Sequence, residues 1–385
     1  MTAPIIQGPI IQGWCPGALR PMLSGDGLVV RIRPRGGRLS AVQVAGIAAL
    51  SAKYGNGLID LSARANLQLR GVIDGSYEAL MGGLQGLGLL DETAEAEARR
   101  NILVTPFWQE SDGAQEIAAG LALALTAKDA PDLPGKFGFA VDTGVAPVLT
   151  CASADIRIEQ GLNGLICRAD GVATGAPVCR DTAVEAALRL AHWFVDSGGA
   201  PNGRGRMAEH LGAGQTEFSY ENFWDPAPGP HALGYLVGLE FGQISAATLA
   251  GLGPMRLTPW RMVLLEGVKD APDLPGLITR ADDPLLRVVA CTGAPGCSQG
   301  LQATRGLARA LAGFVPKGRL LHVSGCAKGC AMPKTAAMTL VGQTGGFGLV
   351  AQGLASDAPL QSGLTAAALL ADPKYLSGGF DAASL

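Results

Sequence analysis

"IDLSARANLQLRGV", residues 59–72, alternates polar and apolar side chains without a break from Asp60 to Arg70. In an extended chain successive side chains point to opposite faces, so this period predicts one strand whose polar face carries Asp60, Ser62, Arg64, Asn66, Gln68 and Arg70. "LVVRIR" (28–33) likewise sets Arg31 and Arg33 opposite Val30 and Ile32. Residues 1–75 hold eight basic side chains against three acidic ones, in a chain of net charge −3. Guanidinium groups pair bidentately with carboxylates and other anions. Two readings stand at this point: a surface that grips anions, or a solvated sheet face. Nucleic acid is not expected as a partner, because the whole is acidic and no aromatics interleave the arginines.

The stretch has an echo. "GGRLSA" (36–41) followed by residues 59–72 recurs loosely as "FGQISA" (241–246) followed by "MRLTPWRMVLLEGV" (255–268), which aligns Gly71 with Gly267. Each copy reads as strand, helix, strand. One copy alone cannot cover its sheet, so the pair should dock into a single two-fold-like unit. Between the copies, helical patterns are expected around 85–98, 113–128 and 181–196, with strand-like sequence over 155–169.

Eight cysteines occur. Cys15, Cys151, Cys167 and Cys179 stand apart and read as buried small hydrophobes. The other four are paired in "CTGAPGC" (291–297) and "CAKGC" (326–330), each just after a strand-like run, "LLRVVA" and "RLLHVSG". A reduced cytosolic chain of this size does not rely on disulfides. Structural zinc takes Cys-x2–4-Cys knuckles, and the first gap here is five, whereas iron–sulfur clusters accept varied spacings if four thiolates converge. The pattern therefore points to a [4Fe-4S] cluster on Cys291, Cys297, Cys326 and Cys330, with small neighbours letting backbone N–H groups reach the sulfurs. A helix is expected over about 299–313.

With 385 residues, 48% of them hydrophobic, the chain can bury several cores. The longest nearly unbroken apolar run, "IAAGLALALTA" at 117–127, is short of the roughly 18 residues of a membrane helix. The start lacks the pattern of a secretory signal, so a cytoplasmic protein without membrane contact is expected. No G-x-G-x-x-G stretch occurs, so electrons should come from a separate reductase or ferredoxin rather than a bound nicotinamide. "FSYENFWD" (218–225) reads as a packed linker.

The layout resembles the sulfite/nitrite reductase family. Within it, "WCPGALRPMLSGDGLVVRIRPRGGRLS", "IDLSARANLQLRG" and "LTPWR" most resemble its precorrin-3B synthase branch, the oxygenases of aerobic cobalamin biosynthesis. The resemblance implies an α+β fold. Two ferredoxin-like half-repeats, 1–77 and 206–275, dock together, and two nitrite/sulfite-reductase-type α+β domains follow them, 78–205 and the cluster domain 276–385. It carries the family's anion and haem positions onto Arg31, Arg64, Arg100 and Lys136; Asn66, Gln68 and Arg70 join them from the polar face as substrate-binding candidates. Two positions depart from the family: Gly138 replaces a second lysine, and Asp60 replaces an arginine. Both weaken the cage that holds sulfite or nitrite, while a large anionic tetrapyrrole would still use the remaining arginines. The implied reaction takes precorrin-3A, O2 and external electrons to precorrin-3B, with a hydroxyl at C20 and a ring-A acetate closed as a γ-lactone. A mononuclear iron beside the cluster would activate O2. The four histidines, His192, His210, His231 and His322, supply no recognisable ligand set for it, and no catalytic residue is assigned. The alternatives are a sirohaem-dependent sulfite or nitrite reductase and a non-catalytic iron–sulfur electron carrier.

Overall fold

The computed structural model describes residues 16–212 and 226–376, so Cys15 and the aromatic stretch 218–225 lie outside the described residues. The fold is α+β, built among the described residues on four sheets. The first orders Met22–Ser24, Gly27–Ile32, Leu67–Val72, Leu58–Leu61 and Gln243–Ser245; the second orders Gly229–His231, Gly234–Leu239, Met262–Glu266, Met255–Leu257 and Arg38–Leu39. Each repeat lends a short strand to the other's sheet: Gln243–Ser245 pairs with Leu58–Leu61, and Arg38–Leu39 pairs with Met255–Leu257. A helix follows each lent strand, Ala41–Tyr54 and Ala246–Ala250, and each starts on a serine cap, Ser40 and Ser245. Their apolar faces share one core, in which Val30, Ile32, Val44, Ile47 and Leu69 meet Val237, Ile244, Leu249, Met255 and Leu265. The two repeats thus cover each other, because each sheet has one apolar face and too few helices to bury it.

Residues 59–72 form two strands rather than one. Ser62 N–H donates to the Asn66 carbonyl, Ala65 adopts φ 52°, and the chain reverses so that Asp60 lies opposite Gln68. The alternation persisted because the turn residues happen to keep period two, and periodicity cannot mark a reversal that preserves it. Arg64 is consequently a turn residue.

The third sheet orders Ala176–Pro177, Gly164–Ala169, Ile156–Gly161, Phe139–Asp142 and Ile102–Val104. The fourth orders Val288–Ala290, Leu321–Ser324, Ala336–Gln343, Gly346–Gly353 and Gln361–Leu364. In chain order both run parallel, parallel, antiparallel, antiparallel. A helix crosses over after the first strand of each, Ala114–Ala124 and Arg305–Leu311. The expected helix at 181–196 is Arg180–Asp196, and 155–169 is a hairpin. Two expectations shift. The pattern at 85–98 resolves into Tyr77–Gly86 and Ala94–Arg99, broken where Gly88 takes φ 67°. The helix expected from 299 begins at Arg305, because Leu301 N–H and Ala294 N–H are drawn instead into loop bonds with Gly325 and Gln302. Leu80 and Leu84 bury in the core of the repeats, and Leu277–Ile278 pairs with Gly234–Leu239; both lie just past the expected cuts at 77 and 275. Among the described residues no helix is long and apolar enough to cross a membrane.

Candidate functional site

Cys291 follows the strand Val288–Ala290, and Cys326 comes two residues after Leu321–Ser324, its parallel neighbour. Adjacent parallel strands deliver both cysteine loops to one sheet edge, at the carboxyl ends where open α/β sheets place ligands. The loops are stitched together: Leu301 N–H donates to the Gly325 carbonyl at 2.7 Å, Gly325 N–H to Cys291 Sγ at 3.1 Å, and Thr304 Oγ1 to the Cys291 carbonyl at 2.6 Å. A Cβ on Gly325 would stand 2.9 Å from Gly293 Cα, so this approach requires glycine.

Crowding around the sulfur is the first cause that raises the Cys330 thiol pKa, although the residue as a whole is exposed. Lys328 pulls it down, and Cys326, Cys291 and Cys297 push it up again. The four thiols therefore feel one another, and their thiolates would repel unless a cationic group lay among them. Among the described residues no three His, Cys, Asp or Glu side chains converge as a single metal ion requires. Four soft sulfur donors on two separate loops, one already accepting a backbone N–H, fit in donor chemistry a cluster that would add its own bulk between them. Of the cysteines read as buried, Cys167 is, while Cys151 and Cys179 are exposed. Cys179 precedes the helix Arg180–Asp196 and receives no apolar cover, its N–H donating to Thr182 Oγ1.

Arg31, Gln68, Asp60 and Gln243 lie opposite one another in a single rung across four strands of the first sheet. Cross-strand partners share a face, and this one turns away from the core towards the cysteine loops. Arg31 Nε and Nη2 both donate to Gln68 Oε1, at 3.1 and 2.6 Å. Arg70 is nearly buried, bidentate to Asp26 at 3.1 and 2.7 Å, and its Nη2 donates to the Gly296 carbonyl at 2.8 Å, beside Cys297. It bolts the first repeat to the cysteine loop. Arg33, expected beside Arg31, instead lies buried and donates to the Glu97 carbonyl, because the strand ends at Ile32.

The other candidates fall elsewhere. Arg64 Nη2 donates to the Lys136 carbonyl at 2.8 Å and reaches Ser153 Oγ at 3.4 Å, where Arg206 also points. Asn66 is buried at the end of the same turn, and the Lys136 side chain is exposed. Arg100 is held bidentately by Asp91 at 2.9 and 2.7 Å and lines a separate cavity of about 590 Å³ with Arg35, Arg99 and Gln115. At Gly138 a Cβ would come within 2.9 Å of Asn101 Nδ2, so the lysine of the reductases does not fit here without moving Asn101.

Three residues of the site escaped sequence reasoning. Arg305 Nη2 donates to Asp60 Oδ1 at 3.2 Å. Arg261, within the quoted "LTPWR", adopts φ 61° and donates to the Ala331 carbonyl at 2.8 Å; burial, then the charge of Arg305, lowers its pKa to about 10. His322 is wholly buried with neither ring nitrogen bonded, and burial followed by Arg261 lowers its pKa to about 4. Only the position of "ATR" just beyond the first cysteine loop hinted at Arg305.

Residues 20–87 match the model of the nitrite/sulfite reductase ferredoxin-like half domain. A precorrin-3B synthase of Sinorhizobium sp is 32% identical, over 90% of this chain and 84% of its own length. A ferredoxin–nitrite reductase of Synechococcus elongatus is 25% identical, over 84% of this chain and 77% of its own. The solved structure of Mycobacterium tuberculosis NirA shares the fold, with a TM-score of 0.55 at 19% identity, over 84% of this chain and 74% of that one. Paired ferredoxin-like halves with two like-built α+β sheets define a protein of the nitrite/sulfite reductase class. More narrowly, the chain belongs to the precorrin-3B synthase family, and it is an oxidoreductase.

Proposed function

We propose that the chain converts precorrin-3A to precorrin-3B, consuming O2, two electrons and two protons, placing one oxygen atom as a hydroxyl on C20 and releasing the other as water, with a ring-A acetate closing the γ-lactone. The relative named precorrin-3B synthase supports the substrate. The observation that carries the reading is the bond from Arg70 to the Gly296 carbonyl, because it seats a face rich in guanidinium and amide groups directly against the first cysteine loop, 291–297. Cys291, Cys297, Cys326 and Cys330 would hold a [4Fe-4S] cluster, which when bound supplies electrons one at a time. The donor is a separate reductase or ferredoxin, and the cytoplasm keeps the thiols reduced.

This chain's own residues bind and orient the macrocycle. Arg31, held flat by Gln68, and Arg64, on its turn beside Lys136, offer charge-assisted hydrogen bonds to peripheral acetates and propionates. Arg70 and Arg100 are already paired with Asp26 and Asp91; they keep the face and the neighbouring domain in place. The test is titration of the anaerobic protein with precorrin-3A or a uroporphyrin-like analogue, read by ring fluorescence. Saturable binding that Arg31→Ala weakens is expected; no binding by the unaltered protein would overturn the assignment.

A further inference from the structure

Asp60 sits in a nest of donors. Its Oδ1 accepts from Gln243 Nε2 at 2.8 Å and Arg305 Nη2 at 3.2 Å, and Arg70 Nε stands 3.7 Å from Oδ2. The donors come from three parts of the chain: the first repeat, the strand lent by the second repeat, and the helix after the cysteine loop. Arg305 Nε is buried without a partner among the described residues, so this guanidinium has a donor to spare. Arg261 is close enough for its charge to be felt at Arg305. Two guanidinium groups and an amide converging on two oxygens make a site for a small oxyanion. Here the protein fills it with its own carboxylate.

We propose that Asp60 is a built-in counter-anion that occupies a small-oxyanion site formed by Arg70, Arg305 and Gln243, and so closes that site to anions such as sulfite and nitrite. The inference rests on the proposed function, in which the protein takes a tetrapyrrole rather than the nitrite for which its second relative is named. A tethered carboxylate competes intramolecularly, so a dissolved anion must displace it to enter. It also gives each guanidinium that meets it a carboxylate, since Arg70 and Arg305 face Asp26 and Asp60. Removing Asp60 leaves a net positive, partly desolvated site.

The test is calorimetric titration of the anaerobic protein with sulfite and with nitrite at low ionic strength, alongside thermal melting with each anion. The unaltered protein should show no saturable binding at millimolar anion. Asp60→Ala should bind at least tenfold more tightly than the unaltered protein and melt higher with the anion present. Asp60→Asn keeps the size and an acceptor for Gln243 and should gain less; it also serves should Asp60→Ala fail to fold. Adding Arg305→Ala to either variant should abolish the gain. Equal anion affinity in the unaltered protein and Asp60→Asn, or a gain that survives Arg305→Ala, would overturn the proposal. Tetrapyrrole titration of the unaltered protein separates this result from the proposed function: a failure there with a gain in Asp60→Asn removes the function and leaves the anion site standing.

Discussion

The two repeats present the same face to two different loops, and they treat it oppositely. Where the first repeat has Arg31 opposite Gln68, the second has Leu236 opposite Leu264. Asp60, Arg64 and Arg70 align with Arg256, Trp260 and Glu266. The first face meets the cysteine loop 291–297. The second meets residues 105–113, which follow the first strand of the third sheet as the cysteine loop follows that of the fourth. There Leu236, Met262 and Leu264 pack with Phe107, Trp260 and Leu286. Phe107 stacks on His231 at 4.4 Å and lies 6.1 Å from Trp260. Arg256 donates to the Pro106 and Trp108 carbonyls, lies 3.8 Å over the Trp108 ring and pairs with Glu266. A duplicated scaffold builds two equivalent clefts; one is plugged with apolar and aromatic side chains, and the other stays polar beside four thiols. The plugged cleft contributes stability through burial, while the polar one leaves donors for a ligand.

The contrast is broken most completely at the thiols. Cys326→Ser should remove iron and sulfide from the purified protein and abolish turnover, whereas Cys151→Ser, on the corresponding loop of the third sheet, should leave both; full iron content in Cys326→Ser would end the cluster assignment. Next in size, Leu264→Ala in the plugged cleft should cost about 2–5 kcal/mol in denaturant unfolding, because the side chain is wholly buried. The aligned change Gln68→Ala should cost far less stability and instead weaken tetrapyrrole binding, by freeing Arg31 from its splint. If both changes destabilised alike, the two clefts would not differ as described.

Arg64→Ala should weaken tetrapyrrole binding by about ten- to a hundredfold, the worth of one charge-assisted hydrogen bond. Arg64→Lys should recover part of it, and neither should change the iron content. Trp260→Ala, at the aligned position, should lower the melting temperature and leave that affinity within about twofold, as fluorescence titration and melting would report together.

A subtler contrast lies in pH. His322 has a folded pKa of about 4, below the ordinary 6.5, so from pH 6.5 down to 4 the unfolded chain takes the proton first and stability falls. Asp142, on the equivalent strand of the third sheet, is raised by burial to about 6, against the pull of the Leu149 and Val148 N–H groups it accepts. Over pH 6 to 4 the folded state takes that proton first, and its contribution to stability grows. Each shift amounts to about 3 kcal/mol over its full window. His322→Leu should flatten the acid loss and Asp142→Asn the acid gain, as denaturation at pH 7 and pH 5 would measure; unchanged slopes in both variants would refute the assignment.

Much of this was legible in the chain itself. The echo of 59–72 at 255–268 foretold two docked repeats, since neither copy had enough apolar cover alone, and the paired cysteines after strand-like runs foretold two cysteine loops at strand ends, which the structure makes neighbours. Those signals are local: side-chain period, spacing and composition act over a few residues. The hairpin within 59–72 was hidden because a turn that preserves period two leaves no mark on periodicity, and so Arg64 was placed on a strand face it does not occupy. The partners of the arginines were equally out of reach, for Arg70 finds Gly296, Asp60 finds Gln243 and Arg305, and Arg100 finds the Arg33 carbonyl only once the domains are folded together. Local sequence determined which faces are polar. Only the tertiary structure decided which of those charges are spent on one another and which are left facing the cysteine loops, because pairing depends on distances between segments that the chain order does not encode.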